Sequence, residues 1–154
     1  MKNLIPSVLI FALASSLSAQ STLYVPDDFA SIQAGITGMQ NGDTLIVRDG
    51  TYIENINFNG KAITLKSEND ASTTIIDGSG AVGSIVTFDS GENANSILEG
   101  FTLTNGFVDG IISQDRAGGI ICIASSPTIN DCVLLSNTSW WPVNGRKASG
   151  GMYV

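Results

Sequence analysis

The sequence contains no histidine, two cysteines and few basic residues. Its 154 residues include 7 Lys and Arg against 14 Asp and Glu, which gives a formal net charge of −7. Without histidine, acyl-transfer triads of the usual kind and histidine-containing metal sites are excluded. The basic residues are scattered singly, whereas a nucleic-acid partner requires them in clusters that neutralise phosphates. The sequence therefore predicts no metal site, no cofactor and no nucleic-acid partner.

Long apolar runs are absent except at the N-terminus. Lys2 and Asn3 precede a mostly apolar run over residues 4–17, and small residues dominate 15–19. The run is too short to span a bilayer comfortably, and this order of features is typical of a secretory signal peptide. An uncleaved anchor or a buried helix is the alternative. We predict a signal peptide over residues 1–20 and an exported mature chain without a membrane span, either secreted or held at the cell surface.

The two cysteines leave two interpretations open. Cys122 and Cys132 each lie in an apolar, strand-like run. An oxidising compartment would permit a disulfide between them. The alternative, which we favour, is that both are small buried residues that pack in a core. Their spacing matches no zinc pattern.

Residues 21–42 carry one helical pattern after a short strand at 23–25. Apolar residues recur at helical spacing and form one stripe, which consists of Phe29, Ile32, Ile36 and Met39. Asp28 or Ser31 can cap the start of this helix, and Asn41-Gly42 is expected to end it. We predict that 21–42 is an N-terminal cap made of a strand and an amphipathic helix.

From residue 43 onward the pattern changes to short strands and turns, and it contains a repeat. The stretch 101–105 resembles 133–137, and the Gly-Gly pair at 118–119 recurs at 150–151, so that both features return at the same offset along the chain. Two features with one period indicate a solenoid of stacked coils. The variable segments 107–117 and 138–149 are then loops from the same corner of successive coils. We predict coils over 43–154, truncated at the C-terminus, because the second Gly-Gly copy starts a coil that is not finished.

Several of these pieces match a known family. Ser31-Ile32-Gln33-Ala34, Gly42-Asp43-Thr44, Gly50-Thr51-Tyr52 and Ile75-Ile76-Asp77-Gly78 resemble the opening of the pectin-lyase-like superfamily. Residues 118–137 resemble the repeat of large exported bacterial β-helix proteins. The resemblance implies an all-β fold, a right-handed parallel β-helix with an N-terminal amphipathic capping helix. It implies little about activity.

The same superfamily includes pectin methylesterases, pectate lyases and polygalacturonases. Residues 29–78 also resemble the start of a pectin methylesterase, but that family's catalytic motifs do not occur in the chain. No catalytic residue is therefore carried over. The carboxylates that stand beside glycines, such as Asp49 and Asp77, look like turn residues, and Asp27-Asp28 like helix-capping residues.

A binding role rests on aromatic residues. Trp140 and Trp141, with Arg146 nearby, are expected in an insertion loop rather than a strand, where Trp commonly stacks on sugars. The alternative is that the pair folds back over the coil as a local lid. We predict an exported, non-enzymatic, adhesin-like module that presents loops for contact with carbohydrate or a cell surface. The alternatives are the N-terminal part of a polysaccharide-active enzyme, a pectin esterase or lyase whose catalytic coils lie beyond residue 154, and a structural spacer.

Overall fold

The computed structural model describes residues 19–109, 117–141 and 146–154, so the predicted signal peptide lies almost wholly outside the described residues. The described part contains one α-helix, α1 (Ile32–Gly38), and a 3₁₀ turn at Gly78–Gly80. In chain order the strands are β1 (Thr22–Val25), β2 (Thr44–Val47), β3 (Gly50–Ile53), β4 (Ile56–Asn57), β5 (Thr64–Ser67), β6 (Thr74–Asp77), β7 (Val86–Phe88), β8 (Ile97–Glu99), β9 (Thr102–Thr104), β10 (Phe107–Asp109), β11 (Ile120–Cys122), β12 (Thr128–Asn130), β13 (Val133–Leu135), β14 (Thr138–Trp141), β15 (Arg146–Ser149) and β16 (Met152–Tyr153).

The strands form three stacked parallel sheets and one smaller sheet. Sheet 1 has the order β1-β2-β5-β8-β12, sheet 2 the order β3-β6-β9-β13, and sheet 3 the order β4-β7-β11-β16. The chain runs through sheets 1, 2 and 3 in turn and returns to sheet 1 one strand further along. Every pair within these sheets is parallel. The arrangement is compatible with a β-solenoid, in which backbone hydrogen bonds run along the stacking axis at about 4.8 Å per strand.

The core is built from ladders of apolar side chains that are repeated from strand to strand. In sheet 1, Leu45, Leu65 and Leu98 stand in register and are fully buried. At the end of sheet 3 the rings of Phe58 and Phe88 lie 4.4 Å apart between centroids. Full burial of each such side chain stabilises the fold by about 1.5–3 kcal/mol. Short strands therefore suffice to build a core, because each inward side chain packs against the equivalent side chains of the strands above and below it.

Helix α1 packs its apolar stripe against one end of this core. Ile32, Ile36 and Met39 are fully buried, and Phe29 is half-buried. Ser31 caps the helix, since its Oγ accepts a 3.1 Å hydrogen bond from Ala34 N.

The helix ends earlier than expected, at Gly38, because Met39 is already extended. The prediction that the two aspartates at 27–28 cap the helix is wrong. Asp28 accepts a hydrogen bond from Tyr24 N, and Asp27 pairs with Arg48.

Gln33 closes the outer edge of β4, the terminal strand of sheet 3. Its Oε1 accepts a 2.7 Å hydrogen bond from Asn57 N, and its Nε2 donates to Asn57 O at 3.2 Å. One side-chain amide thus replaces the N–H and C=O of a missing neighbouring strand. The start of α1 is fixed to the same region, because the Glu54 carboxylate accepts hydrogen bonds from Ile32 N and Gln33 N. An unpaired strand edge is thereby covered.

The repeat has the predicted offset in sheet 3 but not in sheet 2. Ile120 pairs with Met152, as the spacing of the two Gly-Gly pairs predicts. Leu103, however, pairs with Leu134 and not with Leu135, so the predicted alignment of 101–105 with 133–137 is wrong by a single position. The predicted alignment would place Leu135, which is 56% exposed, beside the buried Leu103. A slip by a single position moves a side chain to the other face of a sheet, so core burial selects the observed register.

The Gly-Gly pair at 118–119 directly precedes β11. Neither glycine has a positive φ; positive φ occurs elsewhere, at several other glycines and at residues such as Asn105 (φ 60°) and Ser136 (φ 55°). Gly118 and Gly119 are buried, and a Cβ on either would collide with the backbone of the neighbouring coil. Close approach of backbones, rather than positive φ, therefore requires glycine here. Among the described residues, no helix is long and apolar enough to cross a membrane.

Candidate functional site

The predicted binding residues lie on a small sheet that projects from the coils. Trp140 and Trp141 are in β14, so the expectation that they lie in a loop is wrong. Strands β14 and β15 form an antiparallel hairpin, and β14 also pairs in parallel with β10 from the preceding coil. Residues 138–141 form a strand because Thr and Trp favour a pleated sheet and because the backbone of β10 is available there for pairing.

The register of this sheet sets Trp140 between an acidic and a basic position. Trp140 pairs with Asp109 on one side and with Lys147 on the other, and Trp141 pairs with Arg146. Residues at paired positions leave a sheet on the same face, so Asp109 and Trp140 share one face. Trp140 is 36% exposed. The Asp109 Oδ1 atom is buried and has no hydrogen-bond partner in the described part of the chain.

The small sheet continues into a ridge beside sheet 3. Gly83 N donates a 2.7 Å hydrogen bond to Phe107 O, which joins the segment between β6 and β7 to β10. Val82 is 71% exposed and Phe107 39% exposed. The ridge, which consists of Val82, Gly83 and Phe107, therefore exposes apolar side chains to solvent next to β14, the strand that carries Trp140.

A groove of about 290 Å³ lies along the outer side of sheet 3 beside this ridge. Asn57 Nδ2 donates to Asp89 Oδ1 at 3.1 Å, and Asn55 Nδ2 donates to Ser84 O at 2.9 Å. The Asn55 Oδ1 atom has no hydrogen-bond partner in the structure as described. The other lining side chains include Gln33, Thr87, Ile121 and Ile123. Amide groups above an apolar floor suit a ligand that has hydroxyl groups and an apolar face.

Several of the carboxylates hold the fold together. Asp43 accepts hydrogen bonds from Ser21 N and Gln40 N, and these two bonds lower the pKa of Asp43. Asp77 accepts a hydrogen bond from Ser79 N, which lowers the pKa of Asp77 and fixes the 3₁₀ turn. Within the ranges that the structure describes, no group of three or more acidic residues or cysteines could hold a metal ion.

Both cysteines are free thiols in the structure. Cys122 is buried in β11 beside Phe88, and Cys132 is half-buried just before β13. Burial raises the pKa of both thiols. Their positions in the core match the packing alternative, and the disulfide stays a prediction that thiol titration decides.

A comparison of the chain with protein families, curated proteins and solved structures finds no match. Fold and site together define a class: an all-β protein of parallel strands in stacked sheets, with a grooved face and a projecting tryptophan strand. Sequence reasoning found Trp140 but gave Asp109 no role. The repeat visible in the sequence would have set Asp109 beside Trp141, because only the observed register, which pairs Leu103 with Leu134, aligns Asp109 with Trp140.

Proposed function

We propose that this chain is an exported right-handed parallel β-helix of the pectin-lyase-like type that binds carbohydrate at a cell surface without catalysing a reaction. The cyclic order of sheets 1, 2 and 3 and the wholly parallel pairing within them support the fold. Helix α1 is its cap, because it covers the apolar end of the core and the edge of β4. The resemblance of residues 29–78 supports the family.

The exposed Trp140 beside Asp109 carries the functional proposal. An indole ring offers a flat apolar surface that matches the C–H face of a sugar ring, and exposed Trp on a rigid strand loses little entropy when it binds. Asp109 shares this face, and a carboxylate oxygen accepts hydrogen bonds from sugar hydroxyl groups; because Oδ1 is buried, the other oxygen is the one that a sugar would reach. The ridge and the groove along sheet 3 extend this surface parallel to the stacking axis, which suits a polymer.

The experiment is to measure binding of soluble polysaccharides by affinity electrophoresis for the protein and three variants. Trp140→Ala removes the ring and is expected to weaken binding about fivefold or more, since stacking and its buried area contribute roughly 1 kcal/mol or more. Trp140→Phe keeps a ring and should retain most of the affinity. Ile53→Ala is the control, because Ile53 is 66% exposed on sheet 2, outside the site. Equal binding by the protein and Trp140→Ala would contradict the proposal.

The alternative, the N-terminal part of a polysaccharide-active enzyme, is favoured by one observation, the presence of Asp89 in the groove. Among the described residues, the groove holds this single carboxylate and no Arg or Lys, whereas a pectate lyase needs a calcium site of several carboxylates with a nearby Arg or Lys base. Incubation with pectin and polygalacturonate, followed by assays for released methanol, reducing ends and unsaturated products, separates the two. We expect no product, and product formation that Asp89→Asn abolishes would support the enzyme.

A further inference from the structure

A second groove, of about 470 Å³, lies at the corner between sheets 3 and 1. We call it the amide groove, because its polar lining in the predicted mature chain consists of Asn41, Thr64 and Asn95, above an apolar floor of Ala62 and Ile97. Gln20 also lines it but belongs to the predicted signal peptide, so the inference does not rest on it. It runs along the starts of β2, β5 and β8, three consecutive strands of sheet 1. Trp140, Asp109 and the groove on sheet 3 do not contribute to it.

The structure holds one of these amides in place and fixes the backbone that carries a second. Asn41 Oδ1 accepts a 3.0 Å hydrogen bond from Ala62 N, which fixes the side chain and leaves its Nδ2 as a donor. Asn95 N donates to Asn93 Oδ1 at 2.9 Å, which fixes the turn that presents the Asn95 side chain. The amide of Asn95 itself forms no hydrogen bond with any described residue. The groove therefore offers a positioned donor at Asn41 and an unpaired amide at Asn95 that can both donate and accept.

The lining also restricts the charge of a ligand. No ionisable side chain lines the groove, and the chain as a whole carries a net charge of −7. An acidic ligand would be repelled by the overall field, and a cationic ligand would find no counter-charge in the groove. Neutral hydroxyl groups both donate to and accept from amides, and the Ile97 and Ala62 floor accommodates a C–H surface.

The shape restricts the ligand further. Strands in a parallel sheet are about 4.8 Å apart, so a groove across three strands extends roughly 10 Å along the axis. From this shape, the amide groups and the uncharged lining, we propose that the amide groove binds a linear neutral oligosaccharide. This site is independent of the Trp140 surface and takes uncharged sugars rather than uronic acids.

The test is isothermal titration of the protein with neutral gluco-oligosaccharides of increasing length and, in parallel, with oligogalacturonates. We expect affinity for the neutral series to rise with length until the groove is filled and then to level off. Asn95→Ala should weaken it about three- to tenfold, the value of one or two uncharged hydrogen bonds. Thr64→Val, which keeps the side-chain shape, should have a smaller effect in the same direction. Asn130→Ala is the matched control, because Asn130 is exposed on sheet 1 outside the groove.

Trp140→Ala separates this inference from the proposed function. If Asn95→Ala weakens binding of the neutral series and Trp140→Ala does not, the amide groove is a site of its own. If only Trp140→Ala weakens it, the sugar binds at the projecting sheet and the inference is overturned while the proposed function stands. Preference for oligogalacturonates, or saturable binding of neutral peptides without saccharide binding, overturns the assignment of ligand class.

Discussion

Gly60 N donates a 2.8 Å hydrogen bond to Glu92 Oε1, although the two residues are far apart in the chain. The other carboxylate oxygen accepts hydrogen bonds from Ser90 N at 2.9 Å and from Ser125 Oγ at 2.8 Å. Glu92 is only 3% exposed. One buried carboxylate therefore joins three successive turns of the chain at the corner between sheets 3 and 1.

Replacement of Glu92 by Gln is expected to lower the free energy of unfolding by about 2 kcal/mol at neutral pH. The amide would turn its N–H₂ group toward hydrogen-bond donors, and the lost hydrogen bonds to a charged group contribute about 1.5–3 kcal/mol. Urea denaturation measures the change. Glu99→Gln is the control, because the Glu99 side chain makes no hydrogen bond to a described residue, and it should alter stability by less than about 0.5 kcal/mol. Equal stability of both variants would contradict the role of Glu92.

The stability of the protein is also expected to fall in acid partly through Glu92. Burial by itself would raise the pKa of Glu92, but the hydrogen bonds from Ser90, Gly60 and Ser125 outweigh it and lower the pKa below the usual 4.5. A depressed pKa contributes stability that is fully present above the unfolded value and is lost as pH falls through the folded value. Denaturation between about pH 6 and pH 3 should therefore show a steeper loss for the protein than for Glu92→Gln. Parallel curves would mean that other carboxylates dominate.

Gln33→Ala is expected to promote self-association by uncovering the edge of β4. The Gln33 amide satisfies both backbone groups of Asn57, and an unpaired strand edge is a template for pairing with another chain. Light scattering coupled to size-exclusion chromatography measures the effect as a rise in average mass with concentration. Gln40→Ala is the matched control, since the Gln40 side chain lies in an open surface groove. A variant that stays at the mass of the protein would show that the edge needs no cover.

The periodic features of the fold could be predicted from the sequence, and the single contacts could not. Apolar residues recur at regular intervals in the helix stripe of Ile32, Ile36 and Met39 and in the ladder of Leu45 and Leu65. Such a recurrence can be recognised in the sequence alone. The spacing of apolar residues is regular because equivalent positions are buried in each successive turn of the chain. These elements were therefore within reach of sequence reasoning.

The register of sheet 2 and the role of Glu92 could not be predicted from the sequence. The coil that separates Leu103 from Leu134 is shorter by a single position than the coil that separates Ile120 from Met152, and sequence similarity does not reveal where the irregular insertions absorb the difference. Glu92, in a run of Ser, Gly and Asn, looks like a solvated loop residue. Its burial depends on stacking partners in other coils, which no local pattern predicts. The site shows the same limit, because Asp109 and Trp140 come to paired positions only through the pairing of β10 with β14.

The two thiols are expected to be slow to react in the native protein. Burial raises the pKa of Cys122 and of Cys132, so the reactive thiolate is scarce at neutral pH, and Cys122 is 4% exposed. Titration with a thiol reagent before and after denaturation, without reductant, measures this. Two thiols that appear only after denaturation would support packed free cysteines. No thiol in the denatured protein would demonstrate a disulfide.

Gly119→Ala is expected to destabilise the fold severely, whereas Gly151→Ala, at the equivalent position of the next coil, should be tolerated. A Cβ on Gly119 would overlap the carbonyl oxygen of Gly151, a backbone atom that cannot move without breaking the ladder of sheet 3. A Cβ on Gly151 would lie 3.9 Å from Leu134 Cδ2, an ordinary contact. Overpacking of this kind costs about 3 kcal/mol or more, so the melting temperature of Gly119→Ala should drop by roughly 10 °C. Because both substitutions add the same methyl group to the same kind of position, their difference isolates the backbone approach. Similar losses for both would show that glycine is needed there for its conformational freedom instead.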